Sequence, residues 1–381
     1  MFNSKWPTYS NKMIKHVTEI LKSGKINQWN GTKVFEFEKE FTKKLKHKYG
    51  VSVMNGSIAL ELALHSINIH PNDEVIVSPR SFIASASCVS VLGATPIFGD
   101  VDLESQSLTL DSIKKLTNKN TKAIILVNLG GCPAYETIDI FNFCKTNNIY
   151  LIQDNAQCFG KINNTYVSHW SDISCFSFCT DKIISTGGEG GFVVTDNQSI
   201  FTKLLSFKDH GKNPSKMFSD VDTRTKLSPS SHLFNFVHDS IGNNYRMTEI
   251  QASLGLDSLK CLDNWISIRR RNADILYSYL TFCLSIRLIV PPPNIYHSYY
   301  KFYCFVKNPA IRNNLLEKIN NEGIPCFQGT GDITRESAYN LNITLPNNKL
   351  LFESSLVFNV DPSYSENTMN IIGKKLRTII N

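Results

Sequence analysis

A carboxylate, an amine and a run of glycines follow one another in the middle of this chain. Asp154 closes the apolar run Ile149-Tyr150-Leu151-Ile152-Gln153, Lys182 ends Ser177-Phe178-Cys179-Thr180-Asp181-Lys182, and Gly187-Gly188-Glu189-Gly190-Gly191 comes directly after. Upstream, Asn55-Gly56-Ser57-Ile58-Ala59-Leu60 opens with the small residues of a helix start. Singly, these features have ordinary explanations: an Asp capping a turn, a lysine in solvent, an N-capped helix. Their order suits pyridoxal phosphate chemistry, which needs a lysine amine for a Schiff base, a carboxylate beside the pyridine nitrogen and a phosphate cup. A helix N-terminus favours a dianionic phosphate through its exposed N–H groups and its dipole. The glycine cluster has neither the Gly-Lys-Ser/Thr ending of a P-loop nor the G-x-G-x-x-G spacing, so it is not read as a nucleotide loop.

These groups need a scaffold that brings them together. Asp73 to Ser78 reads as a strand, Ala84 to Leu92 as a helix and Thr95 to Asp100 as a strand. Ala123 to Val127 and Ile149 to Ile152 are further strand-like runs, separated by a helical spacing over Ile138 to Lys145. This alternation predicts an α/β fold with helices on both faces of a mostly parallel sheet, and such sheets bind ligands beyond the carboxyl ends of their strands. Beyond about residue 245 the spacing turns helical, from Glu249 to Leu256 and from Trp265 to Leu280, until Pro291-Pro292-Pro293 interrupts it. Tyr299 to Val306 alternates like a strand and Asn313 to Asn321 like a helix. The expected division is a large α/β domain over 1–250 and a smaller α+β domain over 251–381.

Composition narrows the class. The 381 residues carry 40 Lys+Arg against 33 Asp+Glu, a net charge of +7, and 42% are hydrophobic, enough for a large core and too much for disorder. Basic residues are scattered among acids, and the densest runs, Lys43 to Lys48 and Arg269-Arg270-Arg271, read as solvated helix faces; no nucleic-acid partner is expected. The ten cysteines form no C-x-x-C pair and sit mostly in apolar stretches, which predicts reduced core residues and no metal site. With no signal-like h-region and no apolar run of the roughly 18 residues a membrane span needs, the expected location is cytoplasmic.

Several ordered motifs resemble those of the DegT/DnrJ/EryC1/StrS aminotransferases, which make amino sugars on nucleotide carriers. Gly31 to Phe41 is similar to the family's opening helix, and Asn55 to Leu60 to its S-G-T-x-A-L phosphate element. Ser78 to Ser85 resembles the turn whose aromatic stacks on the cofactor ring. Asp154-Asn155-Ala156-Gln157 resembles D-x-A-Q, Ser177 to Lys182 resembles S-F-x-x-x-K, and Gly188 to Gly191 matches G-E-G-G. Gly242-Asn243-Asn244-Tyr245-Arg246-Met247 resembles G-x-N-Y-R-M.

The resemblance implies the fold type I of the aspartate aminotransferases and a homodimer with shared active sites. It implies that Lys182 carries the Schiff base and shuttles the proton, while Asp154 pairs with the pyridine nitrogen. Phe82 would stack on the ring and Gln157 would bond its 3-oxygen. Gly56, Ser57, Ile58 and Ser177 would cradle the phosphate, with Asn244 arriving from the neighbouring subunit. Arg246 and Lys212 are candidates for basic groups near the substrate.

Three positions depart from the family pattern: Gln153 where Glu is usual, Asn155 where Ala is often found, and Asn128 where His is common. The two that flank the Asp predict altered packing or hydrogen bonding without loss of activity, and Asn128 removes any role a His would have there. Relatives with His at the lysine position dehydrate, so Lys182 points to transamination from glutamate. Cys326 to Ile333, with Arg335-Glu336 and Ala338-Tyr339, loosely resembles a segment of C4 aminotransferases. The substrate expected from it is UDP- or dTDP-4-keto-6-deoxyglucose, giving a 4-amino-4,6-dideoxyglucose (viosamine-type) nucleotide. A GDP-perosamine-type enzyme, transfer to C3, a silent pyridoxal phosphate-binding regulator and a cofactor-free sugar-nucleotide binder are the alternatives.

Overall fold

Apolar runs rich in β-branched residues, too short for helices and bounded by turn residues, become the strands of the main sheet. The computed structural model describes residues 2–218 and 237–381. Two helices, α1 (Asn11–Ser23) and α2 (Lys33–Leu45), precede β1 (Tyr49–Val53), α3 (Gly56–Ser66), β2 (Glu74–Val77), α4 (Ala84–Val91) and β3 (Thr95–Phe98). Next come α5 (Leu110–Leu116), β4 (Thr121–Val127), α6 (Thr137–Thr146) and β5 (Tyr150–Asp154). Two short strands, β6 (Lys161–Ile162) and β7 (Thr165–Tyr166), lead to β8 (Ile173–Ser177), β9 (Gly191–Thr195), α7 (Gln198–Phe207) and α8 (Pro214–Met217).

The sheet order is β1-β9-β8-β5-β4-β2-β3. β5 pairs in parallel with β4 and β8, as β2 does with β3 and β4, and β9 alone runs against its neighbours β1 and β8. Strand residues alternate between two apolar layers. Ile125 and Val127 pack with α3, α4 and α7 on one face, whereas Ile124 and Leu126 pack with α5 and α6 on the other. Burial on both faces is what the continuous apolar runs of a parallel sheet require.

Thr248 starts α9 (Glu249–Leu280) with a capping box: its hydroxyl oxygen accepts the Gln251 N–H while the Gln251 side chain returns to the Thr248 backbone. Then follow β10 (Ile286–Leu288), β11 (Ile295–Tyr296), β12 (Phe302–Val306), α10 (Arg312–Asn321), β13 (Cys326–Phe327), α11 (Pro346–Ser354), β14 (Ser355–Phe358) and α12 (Glu366–Ile380). An antiparallel sheet, β10-β12-β14-β13, carries the second core with α10 and α12, and β11 joins β6 and β7 in a small third sheet. The boundary expected at 250/251 lies in the first turn of α9. Ala252, Leu262 and Ile266 of that helix pack with Phe37 and Phe41 of α2, while Ala273, Leu276 and Leu280 belong to the C-terminal core.

One sequence expectation shifts. The strand read from Tyr299 begins at Phe302, because Tyr299 takes a left-handed φ of 47° and the Ser298 N–H donates to the Gly131 carbonyl at 2.8 Å. Residues 298–301 thus form an anchor against the large sheet. Every cysteine is a free thiol, and all but Cys179 and Cys261 are buried. No helix among the described residues is long and apolar enough to cross a membrane.

An ion pair lies in the core beneath β1. Glu38 Oε1 accepts Lys208 Nζ at 2.9 Å and both the N–H and the hydroxyl of Ser52 at 2.8 Å, and Lys208 Nζ also donates to the Ser52 carbonyl at 3.0 Å. Removing one member strands a buried charge, at a cost of about 3–5 kcal/mol. Lys208→Met should therefore lower the urea unfolding midpoint sharply, and adding Glu38→Gln should recover much of the loss in a double-mutant cycle.

Candidate active site

Strands β1, β2, β4, β5 and β8 all deliver their carboxyl ends to one edge of the sheet. The register sets Val127 beside Asp154 and Asp154 beside Cys175, so residues leaving these strands converge. A cavity of about 730 Å³ opens there, with Asp154, Lys182, Gly56, Ser177 and Phe82 on its walls.

Asp154 ends β5 and is buried. Its Oδ2 accepts the Ser85 hydroxyl at 2.7 Å and its Oδ1 accepts the Ala156 N–H at 3.0 Å. Ser85 touches Ser81 Oγ at 2.6 Å, so α4 supplies a short hydroxyl relay behind the carboxylate. Burial pushes the Asp154 pKa above the usual carboxylate range; the two hydrogen bonds and the Lys182 charge pull it partly back. A cation placed against this carboxylate would remove the remaining penalty.

Lys182 Nζ lies 3.9 Å from Asp181 Oδ1 and 4.9 Å from the Tyr300 ring centroid. The Tyr300 hydroxyl donates a short hydrogen bond to the same Asp181 carboxylate. Burial alone would raise the Asp181 pKa, but the Lys182 ammonium, the Tyr300 hydroxyl and Lys301 outweigh it and hold the group below its ordinary value. The backbone here is held from the amino terminus. Trp6 Nε1 donates to the Lys182 carbonyl at 2.9 Å, and the Tyr9 hydroxyl accepts the Gly187 N–H at 3.2 Å.

Opposite, α3 presents its N-terminus. Asn55 Oδ1 caps the Ile58 N–H at 2.9 Å, and the first-turn N–H groups of Gly56 and Ser57 have no helical partner. The chain is packed tightly here. A Cβ on Gly56 would stand 2.7 Å from Ser177 Cβ, and one on Gly191 would stand 2.2 Å from the Asn55 carbonyl oxygen. Only glycine lets β9 start against this helix turn. Phe82 is 69% exposed and puts its ring on the cavity wall, with a face open to a ligand. Gln157 Oε1 accepts the Gly130 N–H at 2.8 Å, which leaves its amide NH2 as the group to donate into the cavity.

Some sequence-derived candidates lie elsewhere. Ile58 does not line the cavity: its N–H is used by the Asn55 cap and its side chain packs on the core. Arg246 and Lys212 do not line it either. Both pair with the buried Asp209, Lys212 Nζ at 3.2 Å, and Lys212 also lies over the Trp29 ring at 4.5 Å. Asn244 is exposed and forms a backbone bridge with Asp209, so these three residues gather in one patch outside this chain's cavity.

Other residues that line or brace the site carry no signal in the local sequence pattern. Tyr300 and Asp181 are too far apart in the chain for their contact to be seen. Ser85 was visible only as part of a motif, and nothing in the first residues announced Trp6. The distal segment does reach the site: Gly329, Thr330, Gly331, Ile333 and Glu336 face the same cavity.

The three departures from the family pattern form one connected structure. Asn128 Nδ2 donates to Gln153 Oε1 at 3.1 Å and to Asn155 Oδ1 at 2.7 Å, and its Oδ1 accepts the Ala134 N–H at 2.8 Å. Gln153 Nε2 donates to the carbonyls of Val167 and Trp170, each at 3.0 Å. The cavity floor beside Asp154 is thus a buried network of uncharged amides.

These groups fit pyridoxal phosphate: an amine, a buried carboxylate lacking a full cationic partner, a helix N-terminus with small residues and an uncovered aromatic ring. Comparison with known proteins agrees. The model of the DegT/DnrJ/EryC1/StrS aminotransferase family matches residues 7–369. A GDP-perosamine synthase of Escherichia coli O157:H7 is 34% identical over 82% of this chain and 81% of its own length. One from Vibrio cholerae is 30% identical over 96% and 92%. The crystal structure of an aminotransferase from Psychrobacter cryohalolentis superposes with a TM-score of 0.93 at 32% identity, covering 99% of this chain and 98% of its own. The chain belongs to the DegT/DnrJ/EryC1/StrS aminotransferase family, and with it to the pyridoxal phosphate-dependent nucleotide-sugar aminotransferases of fold type I.

Proposed function

We propose that this enzyme moves an amino group from glutamate to C4 of a nucleoside-diphosphate 4-keto-6-deoxyhexose, as a cytoplasmic homodimer. The observation that carries the reading is the meeting of Lys182, Asp154, the α3 N-terminus and the 329–336 segment on one cavity. That segment belongs to the stretch that resembles C4 aminotransferases, and it lies where a sugar would enter. The guanosine carrier, the nearest competitor on sequence, gains weight from the two relatives named as GDP-perosamine synthases. It is the first to assay, beside UDP and dTDP.

Bound pyridoxal phosphate supplies an aldehyde that condenses with amines and a ring that accepts the electron pair left when a neighbouring carbon loses its proton. In this proposal the Lys182 amine takes the proton from the donor α-carbon and hands it to the cofactor's carbonyl-derived carbon within the first half-reaction, and in the second moves a proton from that carbon to C4 of the sugar, acting as general base and then general acid in each half. Asp154 keeps the ring nitrogen protonated. Phe82 covers the ring face and the Gln157 amide donates to the ring oxygen. Gly56 and Ser57 offer backbone N–H groups, and Ser177 its hydroxyl, to the phosphate. Asn244, with Arg246 and Lys212 beside it, serves the cavity of a neighbouring subunit. The large domain, 1–250, then carries the cofactor, and 251–381 closes the substrate side.

Three outcomes are expected. Lys182→Ala should lose about 10²–10⁴-fold or more in turnover, and borohydride reduction of the wild type should fix the cofactor on the peptide holding Lys182; full activity in the variant defeats the mechanism. Asp154→Asn should cut turnover by orders of magnitude while the cofactor-free variant unfolds at or above the wild-type temperature, because a buried charge has gone. Mass spectrometry and NMR of products from GDP-, UDP- and dTDP-linked 4-keto-6-deoxyhexoses with glutamate should show nitrogen at C4. Amination at C3, or of none of them, would refute the substrate class.

A further inference from the structure

At the edge of the large sheet opposite the cavity, three separate turns bring His47, His169 and Asp196 together. His47 precedes β1, His169 precedes β8 and Asp196 follows β9, and one donor atom from each lies within 4.8 Å of the others. Although His47 sits in the basic run read from sequence as a solvated face, its side chain is 3% exposed.

We propose that these three residues bind a divalent transition-metal ion of the zinc class, with His47 Nδ1, His169 Nδ1 and an Asp196 oxygen as ligands and water completing the shell. The outer atom of each ligand is already held. His169 Nε2 lies 2.8 Å from the Leu45 carbonyl, which can only accept, so Nε2 carries the hydrogen and Nδ1 keeps its lone pair. His47 Nε2 is 3.0 Å from Ser168 Oγ, and Asp196 Oδ1 accepts the Lys48 N–H at 2.7 Å. Outer-atom hydrogen bonds of this kind orient imidazole and carboxylate ligands around a metal.

The inner atoms face one another across a gap that an ion could bridge. His47 Nδ1 is buried without an aligned hydrogen-bond partner, yet Asp196 Oδ2 stands 3.3 Å away. Two ligands about 2.0–2.1 Å from a tetrahedral zinc are separated by about 3.3 Å. The rings of His47 and His169 stack with centroids 4.3 Å apart and planes 11° from parallel, which keeps the two imidazoles side by side. Asp196, 47% exposed, leaves a route from solvent and a place for water. Two imidazoles and one carboxylate suit zinc better than magnesium or calcium, which prefer all-oxygen shells. Such an ion would tie the end of α2, the turn before β8 and the turn after β9 into one unit, stabilising the folded chain by mass action.

The test uses purified holoenzyme, stripped with chelator, incubated with zinc and exhaustively dialysed. One zinc per chain should remain in the wild type and in His70→Ala, an exposed histidine outside the cluster, and be lost in both His169→Ala and Asp196→Asn. Zinc should raise the melting temperature of the wild type and leave that of the two variants unchanged, while all four proteins transaminate equally. Cobalt(II) should give tetrahedral visible absorption in the wild type and in His70→Ala, and none in His169→Ala or Asp196→Asn. Equal zinc retention by wild type and both variants, or none retained by wild type, overturns the proposal.

Discussion

A buried carboxylate at the end of a central strand, Asp154, sets the constraint on which the surrounding structure depends. Transfer of an ion from water to a protein interior costs several kcal/mol unless hydrogen bonds and opposite charge replace the lost hydration. For Asp154 the replacement comes from the Ser85 hydroxyl, the Ala156 N–H and the Lys182 charge, and each comes from a different segment. Only a parallel sheet that gathers its strand ends on one edge brings α4, the turn after β5 and the loop after β8 to the same point. The ligand-binding edge is therefore a consequence of charge burial as much as of topology.

The second organising element is α9. Its first half belongs to the core that holds α2 and the loop after β8, its second half to the C-terminal sheet. Arg269, between those halves and fully buried, donates to the Tyr300 carbonyl at 3.1 Å and lies 5.0 Å from the Trp6 ring. Tyr300 in turn holds Asp181, and Trp6 holds the Lys182 backbone. Lysine geometry thus depends on residues from the chain's first ten positions, from its middle and from beyond residue 300.

Much of this was legible in the residues themselves. β2, α4, β3, β4, α6 and β5 follow from periodicity because parallel strands and their helices are buried in a regular pattern. Asp154, Lys182 and the α3 start stood out because pyridoxal phosphate chemistry calls for such residue types at strand and helix ends, and the fold brings them to one cavity. Tyr300 against Asp181, and Trp6 against Lys182, were invisible because tertiary contacts between distant segments leave no local spacing. For Arg246 and Lys212 the charge alone could not show the partner: the fold pairs both with Asp209, in a patch outside this chain's own cavity. The late start of β12 escaped because a left-handed Tyr299 keeps the alternation of a strand without its backbone.

The amide network beside Asp154 has a consequence for how the enzyme responds to its surroundings. A histidine at the position of Asn128 would change charge near pH 6.5, and a carboxylate at Gln153 would bring its own ionisation. Asn128, Gln153 and Asn155 neither gain nor lose a proton, so this network itself adds no charge beside Asp154 from mildly acid to mildly alkaline solution. Acidification of the medium therefore does not act through these three side chains, whereas Asp154, whose pKa burial raises, stays sensitive to it.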